Sequence, residues 1–419
     1  MKRKVEMDMA RKTTVLMAVL VLLMAMPCGA TEIEAPKSAN IQIGALQVHP
    51  SVSIGETYSD NIYQSYDARE KESDFITTVS PGINLLLPMR DHSLQLGYKA
   101  DMYRYADFSE NNYVNQTASG ALNFDFPGGL LFSVSDTFKD MTNRRKWKER
   151  AGVSGAADAN REKAHRANDF KVMVKYWFVD RWAVEARYDK YQDEYDKSYD
   201  NGADFKRDMV GGSIYYSLTP KTDILVDYNC SDVDYDNSDI DDNENRMAYV
   251  GLSFDPTAKV QGYAKFGWAE KKFKQTSATR DGSQSIFSTL VDLGYIATPF
   301  DKVALSATRV IKEDTDNNAA YTDTNASLSW SHVLVWNEKI CMAPFLGYGK
   351  KDYDWASIDV DGTSKIREDD AWRTGIGFGY TMREWLKLVL NYSYTDNNSN
   401  FKRYDYKDNR VFFGVMMQY

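Results

Sequence analysis

The sequence predicts an all-β fold: a transmembrane, antiparallel, up-and-down β-barrel of about eighteen strands. Three observations support this prediction. The chain begins with an export signal, continues from Leu46 as alternating strands and turns, and ends in a strand with two unlike faces. Strand boundaries read from a sequence shift by a few residues, and one miscounted hairpin changes the number of strands by two. Sixteen or twenty strands therefore also fit the pattern.

The first thirty residues are typical of a secretory signal peptide. Basic residues fill the start, and an apolar run at 13–26 leads to small residues before the expected cleavage site after Ala30. The run is too short to span a membrane as a helix. A lipid anchor on Cys28 is the alternative, and Pro27 disfavours it. The predicted segments are a signal peptide at 1–30, a short periplasmic lead at 31–45 and a barrel in the cell outer membrane at 46–419.

The composition favours a barrel over a soluble fold. The chain has 28 Tyr, 19 Phe and 9 Trp against 10 Pro, yet its mean hydropathy is −0.53. A membrane barrel can be polar on average, because only every second strand residue faces lipid. The net charge of −9 becomes −12 once the five basic and two acidic residues of 1–30 are removed, which argues against a nucleic-acid partner.

From Leu46 onward, strands of about 10–15 residues alternate with tight turns and longer polar loops. The predicted tight turns lie at 88–91, 127–129, 179–181, 219–221, 255–257, 298–301, 336–338 and 382–384. The longer polar segments include 59–72, 143–166, 236–243, 275–283, 355–366 and 397–405. Eight turns and nine loops join eighteen strands, and an even number of strands leaves both termini of the chain on the periplasmic side.

The final strand carries the predicted assembly signal. Side chains alternate between the two faces of a strand. One face of residues 410–419 therefore consists of Val411, Phe413, Val415, Met417 and Tyr419. An apolar face that ends on an aromatic residue is similar to the signal read by the outer-membrane assembly machinery, which we expect as a partner. The alternative is an ordinary last strand of a soluble β-sandwich.

The other strands also separate into an apolar and a polar set. In 92–105, for example, Leu94 and Leu96 alternate with Gln95 and Gly97. We predict that the polar sets line a lumen, whose charged candidates are Lys99, Asp101, Lys171, Lys175, Glu185, Arg187, Asp189 and Asp227. Mixed charges of this kind suit a small-solute pore or a path for a hydroxyl-rich chain, and the sequence does not separate the two.

Aromatic residues concentrate near the ends of the predicted strands. Trp177, Trp182, Trp336 and Trp385 lie near turns, and Tyr58, Tyr188, Trp268, Tyr353 and Tyr394 lie near loops. Two aromatic bands are typical of the interfacial girdles of a membrane barrel. A soluble sandwich would instead need inner faces rich in Val, Ile and Leu.

The first two strands contain a distinctive motif. Its residues, in the stretches 46–64 and 73–87, are Pro50, Ser51, Tyr58, Asp60, Asn61, Ser80, Pro81 and Gly82. These stretches resemble the opening of a family of porin-like bacterial outer-membrane β-barrels associated with exopolysaccharide or capsule export clusters. The resemblance implies an outer-membrane location, with a polysaccharide and periplasmic export proteins as partners, and it supplies no catalytic residues. The residues alone favour a structural role for Asp60 and Asn61, since both side chains can bond local backbone where a loop begins.

The sequence predicts no enzyme, no cofactor and no metal site. Of four histidines, three lie near tight turns, and His165 in the longest loop has Asp169 as its one candidate partner, without a supporting motif. The acidic run 232–244 lacks a calcium loop, which would need glycine and glutamate where the chain has Asn237 and Asn243. Loose bridging of divalent ions to lipopolysaccharide is an alternative to a merely solvated rim.

The segment 143–166 is unusually basic for an acidic protein. Its central cluster is Arg144, Arg145, Lys146, Trp147, Lys148 and Arg150. Such a local excess of positive charge attracts anions. We expect this segment to contact lipopolysaccharide phosphates or an anionic glycan, and the alternative is a solvated loop.

Three functions are compatible with these features. The first is a non-enzymatic conduit or accessory pore for export of a surface polysaccharide, which depends on the family resemblance. The second is a general or small-solute diffusion porin. The third is a structural barrel that anchors a surface assembly through its loops.

Overall fold

The computed structural model describes residues 41–144, 162–196, 204–236, 241–274, 282–314, 319–359 and 362–419. Its strands in these ranges are β1 Ile41–Ile43, β2 Leu46–Ser59, β3 Asp74–Met89, β4 His92–Tyr105, β5 Tyr113–Phe126, β6 Leu130–Arg144, β7 Glu162–Val179, β8 Trp182–Tyr195, β9 Phe205–Thr219, β10 Thr222–Tyr235, β11 Asn243–Phe254, β12 Val260–Phe273, β13 Ser283–Thr298, β14 Asp301–Asp314, β15 Ala319–Val333, β16 Ile340–Ile358, β17 Ser364–Arg383, β18 Leu386–Ser399 and β19 Tyr406–Gln418. Single-turn 3-10 helices occur at Ser109–Asn111 and Lys402–Tyr404. In these ranges no helix is long and apolar enough to cross a membrane.

Strands β2 to β19 close into a barrel of eighteen strands. Each strand pairs antiparallel with the next one along the chain, and β19 pairs back onto β2 from Arg410↔Ser59 to Gln418↔Ser51. The predicted fold class and strand number are therefore confirmed. A barrel of this size encloses an aqueous channel unless segments of the chain fill it.

The short strand β1 lies within the predicted periplasmic lead and supplements the seam between β2 and β19. The chain turns back at Gly44, whose φ of +65° favours glycine, and pairs Ile41–Ile43 with Leu46–Val48. β3 occupies one edge of β2, so β1 and β19 both lie along the other edge of β2. On that edge, β19 pairs with β2 only from Ser51 onward. β1 therefore covers the part of that edge that β19 does not reach.

All eight predicted tight turns lie between strands at one end of the barrel. At the other end, two loops are shorter than predicted. β7 already begins at Glu162, and β16 and β17 extend to Ile358 and from Ser364. The prediction was wrong there because the strand extensions are mostly polar, and mostly polar stretches read as loops in the sequence.

The outer surface of the barrel carries an apolar belt. On β10, for example, Val226 and Tyr228 face outward with 53% and 51% of their surface exposed. Farther toward the long loops the same face turns to Asp232 and Asp234. Exposed aliphatic and aromatic residues of this kind recur around the barrel, which fits a lipid-facing belt with polar strand extensions above it.

Tyrosines mark the border of this belt on the side of the long loops. Their hydroxyl groups donate to polar partners on the neighbouring strand: Tyr188 to Asp208 at 2.5 Å and Tyr348 to Asp370 at 2.5 Å. The rings thus lie at the edge of the apolar belt while the hydroxyl groups point into the polar zone, as interfacial aromatics do.

Two of the predicted border aromatics face the lumen instead. Tyr353 is 9% exposed and stacks on Tyr321, with ring centroids 4.8 Å apart. Trp177 packs against an inner cluster of Ala183, Tyr215 and Leu225. Each of the two side chains lies on the inner face of its strand, because its residue number differs by an odd number from those of the outward-facing residues. A position near a strand end therefore does not by itself place an aromatic residue at the lipid surface.

Candidate functional site in the barrel lumen

The structure places all eight predicted lumen residues on the inner face of the barrel. Six of them lie in two neighbouring groups of ion pairs: Lys175, Glu185, Arg187 and Asp227 belong to the first group, and Lys171 pairs with Asp189 in the second. The other two, Lys99 and Asp101, pair with each other on β4 at 2.9 Å. Asp101 also accepts a hydrogen bond from Ser80 Oγ at 2.5 Å. The eight residues therefore belong to three groups of ion pairs.

Asp227 on β10 is the most connected acid of the first group. Its carboxylate accepts from the guanidinium of Arg187, from Lys265 Nζ at 2.7 Å and from Ser213 Oγ at 3.1 Å. Its side chain is only 3% exposed. Arg187 also donates to Glu185 at 2.5 Å. A buried carboxylate held by two cations is fixed in place and largely neutralised.

The second group of ion pairs lies nearer the long loops. Lys171 Nζ lies 2.5 Å from Asp169 and 3.7 Å from Asp189. Asp189 also accepts from Arg207 at 3.1 Å. Lys265 and Arg207 were missed in the sequence analysis, although the alternation on β12 and β9 places both on the inner face.

We call the first and second groups together the charged wall: Asp169, Lys171, Lys175, Glu185, Arg187, Asp189, Arg207, Asp227 and Lys265. Five cations and four carboxylates pair across strands β7, β8, β9, β10 and β12. Because the charges neutralise one another within the wall, no strong field of one sign faces the lumen there. The wall offers a passing solute many polar contacts rather than one deep binding site.

Aromatic rings continue the same inner face toward the long loops. Tyr191, Phe205 and Tyr235 lie on the adjacent strands β8, β9 and β10, and consecutive ring centroids are 5.5 Å apart. We call these three residues the aromatic row. The guanidinium of Arg207 lies 5.3 Å from the centroid of the Tyr191 ring, so the row is continuous with the charged wall.

His165 has a different position and partner from those expected. It lies in β7 rather than in a loop, and its Nδ1 is 2.6 Å from Asp193. Its ring stacks on Tyr195 with centroids 5.0 Å apart. Asp169, the partner suggested by the sequence, pairs with Lys171. The buried His165–Asp193 pair fits a structural contact between β7 and β8.

The motif at the start of the barrel ties the first loop to the last strand. Asn61 is fully buried, and its Nδ2 donates to the carbonyl groups of Ser65 at 3.0 Å and Lys407 at 2.9 Å. Asp60 accepts from the backbone and the side chain of Asn409, each at 2.8 Å. These residues thus lock the seam between β2 and β19 above the membrane.

The rest of the motif lies along β2 and β3. Tyr58 packs on Phe75, with ring centroids 5.1 Å apart, and Pro50 accepts a backbone hydrogen bond from Tyr419 at 3.0 Å. The strand pairs Ser51↔Gly82, Val52↔Pro81 and Ser53↔Ser80 join the two halves of the motif. A Cβ at Gly82 would lie 2.9 Å from Ser51 Oγ, which explains a glycine at this strand pair.

Replacing Asn61 with alanine should destabilise the barrel seam. The change removes the hydrogen bonds of the Asn61 side chain with the buried backbone N–H and carbonyl groups of Ser65, at a cost of about 1–3 kcal/mol for each group left unsatisfied, whereas the carbonyl group of Lys407 keeps Lys71 Nζ as a donor. Denaturant unfolding of the refolded barrel, with protease cleavage in 60–73 as a local probe, measures the effect. Arg69→Ala is the control, because Arg69 is 84% exposed and its ion pair with Asp67 lies at the surface. Equal stability of the two variants would contradict a seam lock.

The predicted assembly residues lie on the outer face of β19. Val411, Phe413 and Tyr419 are exposed on this face, which Val415 and Met417 share. Their neighbours across the seam are the outward residues of β2, such as Tyr58 opposite Val411 and Ile54 opposite Val415. Whether the assembly machinery reads this face stays a prediction.

The basic cluster, the metal ligands and the cysteines do not form a binding site within the described residues. Of the basic cluster, Arg145, Lys146, Trp147, Lys148 and Arg150 lie outside the described residues, and Arg144 ends β6. Within the described ranges, no group of three or more His, Cys, Asp or Glu side chains could hold a metal ion. Cys230 and Cys341 are free thiols on β10 and β16.

Part of the acidic run is paired with a lysine. Lys274, just beyond β12, contacts Asp232 at 2.8 Å and Asp234 at 3.0 Å. Hydrogen bonds to these two carboxylates raise the pKa of Lys274 above its usual range. The two acids thus have a cation from the protein itself as a partner.

Over residues 36–419 the chain matches the family described as "Putative beta-barrel porin 2". The chain belongs to this beta-barrel porin family. The match spans every strand of the barrel and agrees with the resemblance noted in the first two strands. The porin is accordingly an outer-membrane β-barrel.

Solved structures of other outer-membrane proteins are similar to the porin. The outer-membrane protein OpdK from Pseudomonas aeruginosa has 10% identity and a TM-score of 0.47, with 89% of this chain and 99% of that chain covered. The alcaligin outer-membrane receptor FauA from Bordetella pertussis has 11% identity and a TM-score of 0.43, with 88% and 76% covered. No curated protein matches the chain.

Proposed function

We propose that this porin is a non-enzymatic outer-membrane conduit for the export of a surface polysaccharide. The observation that carries the proposal is the inner wall of strands β7 to β12, where the charged wall meets the aromatic row. The choice of a polysaccharide depends also on the family resemblance of the first two strands. Periplasmic export proteins are the partners that this function would require.

The chemistry of the inner wall supports a hydroxyl-rich polymer. Sugar rings pack their apolar C–H faces on aromatic side chains, while their hydroxyl groups exchange hydrogen bonds with charged and amide groups. Because the cations and carboxylates of the charged wall already neutralise each other, no single contact would hold the polymer tightly. Many weak contacts allow a chain to slide, whereas one strong contact would trap it.

A diffusion porin for small solutes is the second candidate, favoured by the family match. The same mixed-charge wall would suit hydrated ions and small polar molecules. The two candidates differ in what the loss of the protein does to the cell. Loss of a conduit retains polymer in the periplasm, whereas loss of a diffusion porin lowers the uptake of small solutes.

A clean deletion strain is the decisive experiment. We expect less surface polysaccharide and more polymer in the periplasm, both restored by the wild-type gene. Normal surface polysaccharide together with reduced small-solute uptake would reject the conduit and support the diffusion porin. Normal values for both would reject both pores and leave the structural barrel.

The aromatic row provides a point test in the complemented strain. Phe205→Ala removes the central ring of the row, and we expect surface polysaccharide to fall several-fold while the amount of folded barrel stays normal. Phe138→Ala is the matched control, because Phe138 is 42% exposed on the lipid-facing side. Unchanged export by the Phe205 variant would show that the row does not contact the polymer.

A further inference from the structure

The wall of the barrel is interrupted between β13 and β14. The register of this pair runs only as far as Thr289↔Arg309. β13 itself continues to Ser283 and stays paired with β12 up to Lys272↔Ser283. β14 continues to Asp314, where it pairs with β15 alone. In the described chain, the segment Ser283–Ser288 therefore has no sheet partner on its β14 side.

Beyond Arg309, the hairpin of β14 and β15 lies inside the barrel. The carboxylate of Glu313 on β14 contacts Lys271 on β12 and the hydroxyl of Tyr235 on β10. Four strand positions separate β10 from β14, which is about 19 Å of wall at about 4.8 Å per strand. A glutamate side chain cannot span this distance, so the backbone of β14 must have left the wall.

Other contacts follow the same path across the inner face of β13. Ser288 Oγ donates to the carbonyl group of Arg309 at 2.7 Å, and Gln284 Nε2 donates to Thr322 Oγ1 at 3.4 Å. On the hairpin, Ala320 is fully buried. The arms 310–314 and 319–323, which we call the inner hairpin, are thus docked against the lumen side of β10, β12 and β13.

Glu313 is central to this docking. Its partner Lys271 is 4% exposed and also donates to Asn243 at 3.0 Å. The neighbouring ion pair of Lys312 with Asp323, at 2.5 Å, joins the two arms of the hairpin to each other. Glu313 therefore tethers the hairpin to the wall, whereas Lys312 contributes to the hairpin itself.

The free edge of β13 offers the inner hairpin a second position. Extending the register beyond Thr289↔Arg309 would place Val310 opposite Ser288 and Ile311 opposite Phe287. Ile311 would then lie beside the exposed ring of Phe287 on the outer face, and Lys312 would face the lumen. The alternation of apolar and polar residues at the end of β14 thus fits a continuous barrel wall as well as the docked hairpin. An unpaired strand edge readily accepts a strand.

We propose that the inner hairpin gates the pore by moving between these two positions. Docked through Glu313, it occupies the lumen; paired with Ser283–Ser288, it completes the wall and widens the channel. Because residues 321–323 of the inner hairpin stay paired with β16, from Tyr321↔Tyr353 to Asp323↔Lys351, the movement is a swing about that edge rather than an unfolding. The gate does not depend on which solute the pore carries.

Single-channel recording in planar bilayers tests the gate. Glu313→Gln removes the tether, and we expect conductance to rise, or a larger conductance level to appear, by about twofold or more, because a docked hairpin takes up about 10 Å of the lumen. Lys312→Met is the matched control and should keep the wild-type conductance. Equal conductance of all three proteins, each folded by heat-modifiability, would overturn the gate.

Cross-linking provides a second test that does not depend on the Glu313 variant. Gln284→Cys and Thr322→Cys, in a background with Cys230→Ser and Cys341→Ser, place thiols on the wall and on the inner hairpin. A short bifunctional thiol reagent should lock the docked state and abolish the larger conductance level, and each single-cysteine protein is a control. A locked channel that still reaches the larger level would show that the hairpin does not gate the pore.

Discussion

Removal of Phe413–Tyr419 should abolish assembly of the barrel in the outer membrane. These residues make the pairs of β19 with β2 from Glu56 to Ser51 and with β18 from Leu390 to Leu386. Without them, two strand edges with unpaired backbone groups would face lipid, where each unsatisfied group costs several kcal/mol. We therefore expect degradation or periplasmic aggregation of the truncated chain.

Fractionation, heat-modifiability on gels and protease resistance measure this outcome. A truncated chain that reaches the outer membrane in a folded, protease-resistant form would show that the seam closes without the last strand. Substitutions on the two faces of β19 distinguish the backbone pairing of this strand from the recognition of its outer face. Phe413→Ser with Tyr419→Ser keeps the backbone pairs and changes the outer face, whereas Met416→Ser with Gln418→Ser changes the inner face. A defect in the first variant alone would support recognition of the outer face by the assembly machinery.

The barrel itself could be predicted from the sequence because its signals are local. Alternation of polarity within β4 and β10 reports which face meets lipid, and tight turns such as 127–129 mark the hairpins. The prediction was weaker above the membrane. There the strands are mostly polar, and so the sequence predicts a loop where the structure has β7 from Glu162 to Arg166.

The arrangement of the lumen depends on contacts between distant residues, which a single sequence does not reveal. The alternation placed Arg187 and Asp227 on the inner face, but it did not show that Lys265 completes their group from two strands away. It also gave no sign that β14 leaves the wall, because Ile311 and Lys312 fit a regular strand. The role of Glu313 follows only from its contacts with Lys271 and Tyr235.

Replacing Asp227 with asparagine should destabilise the folded porin more than any other single change in the charged wall. The variant leaves Arg187 and Lys265 without their shared acid. Loss of one partner of a buried ion pair costs about 3–5 kcal/mol, and some water reaches these cations, so we expect about 2–4 kcal/mol. The free energy of unfolding in denaturant, measured with the barrel refolded in lipid vesicles, gives the value.

Asp101→Asn is the matched control, since Asp101 pairs with Lys99, whose side chain is 42% exposed. An ion pair of this kind contributes about 0–1 kcal/mol. A second variant tests the cause: Asp227→Asn with Lys265→Met removes one uncompensated cation and should recover part of the lost stability. If the two asparagine variants were equally stable, the carboxylate of Asp227 would not hold the wall together. If the double variant were the least stable, packing of the Lys265 stem rather than charge would account for the loss.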